Sequence, residues 1–310
     1  MKRILFHIVL STLLFSHLYA QDARIDSLLA LSKVATGNEL ARICFELSLD
    51  LRENQIDSAL HFAHQAELLF SKSDPETLLP YVYKNKGSIY ELKLVYDRSL
   101  SYYNRAYEEF IKLDNLQEIG ICARNIGNIH YELADYGEAC YFYLQSLNAY
   151  EKDGDRMGIA EMENNLGTVS HEMLKLDDAE KHYMNAYEIY REYESVHDEC
   201  KSLNNIGLIL YDKQQYDSAL YYFREVLVKM DPDSLESEEE QYTLSAVFNN
   251  MALVNIDQDE FQMALSNLQQ GLALARRIDD QYTIGSVYTN LGSLYGEMKR
   301  QDSALFFLHR

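Results

Sequence analysis

Six asparagines recur two residues before a glycine or an alanine. They are Asn85, Asn125, Asn165, Asn205, Asn250 and Asn290, and we call them the asparagine row. A primary amide offers two hydrogen-bond donors and an acceptor, which suits the alternating N–H and C=O groups of an extended peptide backbone. Repeated along one surface, such amides can hold a peptide independently of its sequence. The row therefore predicts a binding site for a peptide or protein segment.

Carboxylates follow five of these asparagines at a constant distance of seven residues. They are Glu132, Glu172, Asp212, Asp257 and Glu297, and we call them the acidic row. If the intervening residues are helical, the two rows run parallel about 10 Å apart. A functional acidic row favours ligands with Lys, Arg or a free amino terminus. The alternative is an ordinary solvated helix surface in an acidic chain.

Residues with catalytic or metal-binding potential lack partners at suitable spacings. His171 and Glu172 begin like a zinc-protease helix, but Lys175 stands where the second histidine is needed. His61 and His64 lie three residues apart without a third ligand nearby. Glycine-rich phosphate loops and serine-nucleophile motifs are absent from the sequence. The sequence therefore predicts a protein that is not an enzyme and that has no metal site and no cofactor.

Composition and charge restrict the classes of partner. The 310 residues are 47% hydrophobic and include only 3 prolines, so the chain can bury a large core. Asp and Glu number 49 against 28 Lys and Arg, for a net charge of −21. Nucleic acid is not an expected partner, because phosphate binding needs a basic surface. Cys44, Cys122, Cys140 and Cys200 lack metal or disulfide spacing, and we interpret them as small buried residues.

Residues 1–20 have the pattern of a secretory signal peptide. Lys2 and Arg3 precede the apolar run Ile4–Phe15, and Ala20 is a plausible cleavage residue before Gln21. This predicts export to the periplasm or the extracellular space, with an uncleaved N-terminal anchor as the alternative. No later segment reaches the ~18 apolar residues that a membrane span requires, so no span is predicted in the mature chain.

The small residues that follow the asparagines mark an internal repeat. These anchors are Gly87, Gly127, Gly167, Gly207, Ala252 and Gly292, with spacings of 40, 40, 40, 45 and 40 residues. One further step back reaches Leu47, which gives a first copy without glycine. The five extra residues fall in Asp231–Glu240, an acidic segment that we expect to be a solvated loop. The period indicates a repeat array of seven copies.

Each copy has the pattern of two amphipathic helices joined by a tight turn. Twelve residues after each anchor comes another small residue, such as Ala219, and four residues further an aromatic or apolar one, such as Phe223. A glycine and a small residue suit the close approach of two antiparallel helices. A side chain at Gly207 would overfill this contact, at a cost of roughly 1–3 kcal/mol.

Helical geometry predicts where the asparagine row points. At ~100° per residue, the position two before the anchor lies on the side opposite the stripe that packs on the second helix. In a solenoid of helix pairs the first helices line the concave surface, so the row is expected to face the groove. The alternative is that each amide supports the fold by bonding to a neighbouring repeat.

The units resemble tetratricopeptide repeats, for example at Tyr288, Leu291-Gly292, Tyr295 and Ala304. They lack the family's frequent tryptophan, and their period of 40 is longer than the usual 34, similar to kinesin light chains and many bacterial sensors. The resemblance implies an all-α, right-handed solenoid of antiparallel helix pairs over residues 37–310, with a capping helix at 21–36 and an incomplete last copy. Similar asparagine ladders occur in O-linked N-acetylglucosamine transferase.

The leader, cap and long repeats together resemble the exported sensor regions of Bacteroidota-type signalling proteins. Ala304, Leu305 and Phe307 are expected to lack a covering unit, which indicates a C-terminal continuation carrying an output domain. The sequence thus favours a non-catalytic scaffold that binds a protein or extended peptide, with a preference for basic ligands if the acidic row is functional. The alternative is a structural assembly module that holds subunits through its convex face or C-terminal end.

Overall fold

In the computed structural model of the protein, residues 22–73, 78–232, 235 and 237–308 are described. Every regular element in these ranges is a helix. The fifteen helices are α1 (22–32), α2 (Gly37–Asp50), α3 (Ile56–Ser73), α4 (Leu79–Leu92), α5 (Tyr96–Lys112), α6 (Leu116–Glu132), α7 (Tyr136–Asp153), α8 (Arg156–Glu172), α9 (Leu176–Glu192), α10 (Val196–Asp212), α11 (Tyr216–Lys229), α12 (Glu238–Asp257), α13 (Phe261–Arg277), α14 (Gln281–Glu297) and α15 (Gln301–Leu308). The proposed signal peptide, residues 1–20, lies outside the described residues.

Seven helix pairs follow α1 in the described chain, and each pair corresponds to one predicted copy. The chain divides into two compact units, Met1–Asp153 and Gly154–Arg310. The first unit holds the pairs α2–α3, α4–α5 and α6–α7, and the second holds the remaining four pairs. The predicted fold class, an all-α solenoid of helix pairs, is confirmed.

A left-handed residue ends the first helix of each pair from the second pair onwards. In the turn after α4, Leu94 has φ 56°. Its N–H donates to Glu91 O, and the N–H of Val95 donates to Tyr90 O, which is the Schellman arrangement. The equivalent left-handed residues are Ala134, Leu174, Gln214, Asp259 and Lys299. This shared turn lets three residues, 93–95 and their equivalents, connect the two antiparallel helices of each pair.

An aromatic ring of the second helix lies on the anchor glycine in four copies. A Cβ atom at Gly207 would lie 2.5 Å from Cε1 of Phe223. The other three pairs are Gly87 with Tyr103, Gly127 with Tyr143 and Gly167 with Tyr183. The small residue also contributes, since Ser99 Oγ donates to Gly87 O at 2.7 Å. The predicted close approach is confirmed, and the glycine makes room for a ring as well as for a small residue.

The cysteines are free thiols, and three of them, Cys44, Cys122 and Cys200, are buried. Cys140 is half-buried. Burial raises the pKa of Cys122 and of Cys200 to about 12, so both remain protonated at neutral pH. The interpretation as small buried residues is confirmed for these three cysteines.

At the first of the described helices, Leu28 of α1 is buried in one cluster with Ile43 and Leu47 of α2. Within the predicted cap, residues 21–36, the helical part is 22–32. None of the described helices has the length and apolar content that a membrane span requires.

The structure adds detail to one local expectation and corrects another. In α15, Ala304 is only 9% exposed, and the ring of Phe307 stacks on Tyr295 with centroids 5.4 Å apart. These two side chains pack on the first helix of their own pair, and Leu305 alone of the three is exposed.

The segment Asp231–Glu240 is not all loop, because its last three residues form the first turn of α12. That turn is capped by Ser237, whose Oγ accepts from Glu240 N at 3.1 Å.

Candidate functional site

A largely polar stripe runs along each first helix of the second unit. Its positions lie six and two residues before the anchor and one and five residues after it, within about 60° of one another around the helix. All sixteen residues at these positions in α8, α10, α12 and α14 are half-buried or exposed. We call this stripe the first-helix face. It contains Asn165, Asn205, Asn250 and Asn290.

Hydrogen bonds connect three of these amides to the preceding repeat. Nδ2 of Asn205 donates to Asn164 Oδ1 at 3.3 Å. The equivalent bonds run from Asn250 to Asn204 at 3.0 Å and from Asn290 to Asn249 at 2.8 Å. Asn165 has no such bond within the described residues. The amides therefore form a ladder between successive first helices, the role left open as the alternative.

The acceptors of the ladder were not recognised from the sequence. Each is the first member of an asparagine pair, as in Asn164-Asn165, Asn204-Asn205 and Asn249-Asn250. The donors Asn205 and Asn250 are the second members of their own pairs, whereas the donor Asn290 follows Thr289. Each donates to the first asparagine of the preceding pair. The recurring pair of asparagines was the available signal for this ladder. A row of amides that only binds a ligand needs one asparagine in each repeat, so the second asparagine calls for another role.

In the first unit the corresponding face contains a cavity of about 390 Å³. Its lining includes Asn85 and Asn125 of the asparagine row. Asn85 is only 3% exposed. Its Nδ2 donates to Ser48 Oγ at 2.7 Å, and its Oδ1 accepts from Arg52 Nη1 at 3.4 Å. Asn125 is half-buried and accepts from Arg124 Nε at 3.4 Å.

The same cavity combines apolar walls with two cations. Its other lining residues are Phe45, Leu49, Arg52, Tyr81, Lys84, Ser88, Tyr103 and Ile121. Lys84 is paired with Glu118. Burial and the neighbouring Glu91 raise the pKa of Tyr103, so its hydroxyl stays protonated and donates to Glu91 Oε2 at 2.7 Å.

Each member of the acidic row is exposed and is the last residue of a first helix. In the second unit, Asp212 Oδ2 lies 2.6 Å from His171 Nε2. Asp257 Oδ2 accepts from the Tyr216 hydroxyl at 3.2 Å. Burial and the hydrogen bond to Asp257 raise the pKa of Tyr211 to about 12. The row therefore combines exposed carboxylates with contacts to the preceding repeat.

A second cavity, of about 300 Å³, lies at the N-terminal ends of α10 and α12. His197, Lys201 and Tyr242 are among its lining residues.

No group of three or more His, Cys, Asp and Glu side chains is placed to hold a metal ion in the ranges described above. Of the histidines considered as metal ligands, His171 contacts Asp212 and His61 contacts Gln65. Nδ1 of His64 lies 3.9 Å from Glu67 Oε2.

The fold and the first-helix face together define a helical-repeat protein with a largely polar first-helix surface. The sequence pattern of the tetratricopeptide repeat family matches residues 158–227 and 243–310, so these two stretches are similar to tetratricopeptide repeats. No curated protein matches the chain.

Solved structures support the same fold over nearly the whole chain. The apo form of RapI is 18% identical with a TM-score of 0.70, covering 87% of this chain and 95% of that one. The Rap conjugation gene regulator of plasmid pLS20, in complex with the Phr* peptide, is 16% identical with a TM-score of 0.57, covering 94% and 95%. Aspartyl phosphate phosphatase F from Bacillus subtilis is 13% identical with a TM-score of 0.64, covering 94% and 90%. At these identities the likeness shows the fold alone.

Proposed function

We propose that this chain is a non-catalytic scaffold that binds an extended peptide or protein segment on the face of its first helices. The observation that carries the proposal is the half-buried row of amides in the second unit. Each ladder bond uses one N–H of an amide and fixes its orientation, while the second N–H and the oxygen remain for a ligand. The peptide bound by the similarly folded pLS20 regulator supports this class of ligand.

The acidic row supports a basic segment as the ligand of the second unit. A carboxylate at the last residue of a helix is disfavoured by the helix dipole by roughly 0.3–1 kcal/mol. Glu172 and Glu297 nevertheless occupy that place, as do Asp212 and Asp257. Helix stability does not explain this recurrence. The contacts with the preceding repeat account for Asp212 and Asp257, whereas a ligand carrying Lys or Arg would account for all four.

Replacing Asn165 by alanine tests the ligand role, because this amide makes no ladder bond. A peptide selected from a displayed library of random dodecapeptides against the wild-type chain serves as the probe. We expect its Kd to rise about fivefold, as for the loss of one hydrogen bond worth roughly 1 kcal/mol. The melting temperature should be unchanged.

Asn164→Ala is the matched control, since it removes the ladder acceptor of Asn205 from the adjacent position. This variant should lose about 1 kcal/mol of stability in thermal or urea unfolding. If Asn165→Ala lowers stability as much as Asn164→Ala does while peptide affinity is retained, the row is structural and the assembly-module alternative is favoured. Failure to select any peptide contradicts the proposal itself.

We also propose that the protein is exported and serves as the receiver part of a signalling protein. The signal-peptide pattern of residues 1–20 supports export. When the chain is expressed in a Gram-negative host, the mature protein in the periplasmic fraction should begin at Gln21 by intact mass. A protein that retains residues 1–20 in the cytosolic fraction would contradict export, and retention of these residues in the membrane fraction would indicate the uncleaved anchor.

A further inference from the structure

We propose that the cavity of the first unit binds a bulky apolar side chain together with an adjacent Asp or Glu side chain of the same extended segment. This inference rests on the proposed function and specifies the ligand chemistry of one part of it. The ligand preference of the first unit is thereby the opposite of the basic preference proposed for the second unit.

The apolar part of the cavity is built from four side chains on three first helices. Phe45 and Leu49 come from α2, Tyr81 from α4 and Ile121 from α6. Leu49 is exposed and the other three are half-buried, so the apolar wall is open to a ligand. The volume of about 390 Å³ lies within the range of ~300–1,000 Å³ typical of ligand sites. The cavity can therefore take a side chain such as Leu or Phe.

The charge of the cavity comes from Arg52. The one hydrogen bond of its guanidinium within the described residues is to the neutral Oδ1 of Asn85 at 3.4 Å, and no carboxylate in these ranges pairs with it. A guanidinium prefers a carboxylate, which it binds through two parallel N–H groups. The second cation, Lys84, is already paired with Glu118. An incoming carboxylate is therefore the chemical group that Arg52 lacks.

The position of Arg52 in the repeat shows that the charge differs between copies. Arg52 lies five residues after Leu47, the place at which the last five copies carry the acidic row. In the second copy this place is occupied by Leu92. The first two copies thus replace two carboxylates by a cation and an apolar residue, which reverses the preference for a basic ligand.

A side-chain carboxylate fits better than a chain terminus. The proposed segment continues from the cavity towards Asn125, which is half-buried at the cavity edge. A chain that ends at Arg52 can extend only towards Asn125, whereas an internal residue lets the segment extend from the cavity in both directions. We therefore assign the carboxylate to an internal Asp or Glu.

The test uses acetylated, amidated and fluorescently labelled peptides with the sequence Gly-Ser-Gly-Ser-X-Z-Gly-Ser-Gly-Ser. X is Leu, Phe or Ser, and Z is Glu, Gln or Lys. We expect the peptides with Leu-Glu and Phe-Glu to bind the full chain about tenfold more tightly than their Gln versions, as measured by fluorescence anisotropy. The Ser-Glu peptide should bind more weakly, because the apolar wall is then unfilled.

In Arg52→Gln the preference for Glu over Gln should disappear. Arg42→Gln is the control, because Arg42 is an exposed arginine of α2 that does not line the cavity. It should retain the preference. If Arg52→Gln does not fold, Arg52→Lys keeps the charge without the paired N–H groups and should reduce the preference.

Three results would overturn the inference. The first is equal binding of the Glu, Gln and Lys peptides by the wild-type chain. The proposed function remains intact in that case if Asn165→Ala still weakens binding of the library peptide. The second is equal or tighter binding of a peptide that ends in Leu with a free carboxylate, which assigns the site to a chain terminus. The third is no binding of any of these peptides. Only failure to select a library peptide as well would contradict the proposed function.

Discussion

Replacing Lys86 by methionine should lower the free energy of unfolding by about 3 kcal/mol. Lys86 lies in α4 and is only 2% exposed. Its Nζ lies 2.5 Å from Glu67 Oε2 and 2.7 Å from the Tyr102 hydroxyl, and it lies 4.2 Å from the centre of the Tyr102 ring. Methionine keeps the apolar stem but removes the charge, so the half-buried Glu67 loses its most buried cationic partner. Glu67 keeps Arg105 at 3.2 Å and His64 Nδ1 at 3.9 Å, but both of these partners are far more exposed than Lys86.

Two further variants separate the charge from the packing. In Lys86→Met with Glu67→Met, both charges are removed, and most of the lost stability should return because buried ion pairs can be replaced by apolar residues at little cost. Lys112→Met is the surface control, since Lys112 pairs with Glu109 at side-chain exposures of 65% and 41%. It should change stability by less than about 1 kcal/mol. Urea unfolding of the four chains would contradict the prediction if Lys86→Met and Lys112→Met were equivalent.

Comparison of the repeats in the sequence could have shown that Lys86 is buried. The residue before the anchor is Ile126, Leu166, Ile206, Met251 and Leu291 in the five later copies. A lysine at this place means that a charge is buried where the repeat requires an apolar residue. Its partners could not be predicted, because Glu67 and Tyr102 lie on two other helices whose registers are set by packing.

The fold itself could be predicted because it depends on local spacing. The anchors, at intervals of 40 or 45 residues, predicted which helices form a pair. The small residue twelve positions after each anchor predicted where the two helices of a pair come closest. For the asparagine row, the helical wheel gave the direction of the side chains only within one repeat. The bonds from Asn205 to Asn164 and from Asn85 to Ser48 connect different repeats. They depend on how one helix pair packs on the next, which the period does not determine.

Replacing Gly207 by alanine should destabilise the protein by roughly 1–3 kcal/mol, although alanine is the better helix former by about 1 kcal/mol. The new Cβ would lie 2.5 Å from Cε1 of Phe223. That ring is fully buried, so it cannot move aside without disturbing its neighbours. The clash should therefore outweigh the gain in helix propensity, as measured by urea unfolding.

The chain offers a matched control for this substitution in Gly285 of α14. A Cβ atom at Gly285 has nothing within 4 Å, so Gly285→Ala should stabilise the protein by up to about 1 kcal/mol. The two glycine-to-alanine changes should thus have opposite signs. If both stabilise the protein, the ring of Phe223 does not require the glycine.

A second substitution tests the cause of the clash, and the sixth copy of the repeat indicates which one. There the anchor is Ala252 and the residue at the place of the ring is Leu268, and both are fully buried. The side chain on the anchor and the side chain that covers it thus change together. Phe223→Leu should therefore make Gly207→Ala less costly than it is in the wild-type background, with a coupling of roughly 0.5–3 kcal/mol in a double-mutant cycle. If the effects of the two substitutions on the free energy of unfolding are additive, the side chains at 207 and 223 are not in direct contact. Only side chains that share one space make the cost of enlarging one depend on the size of the other.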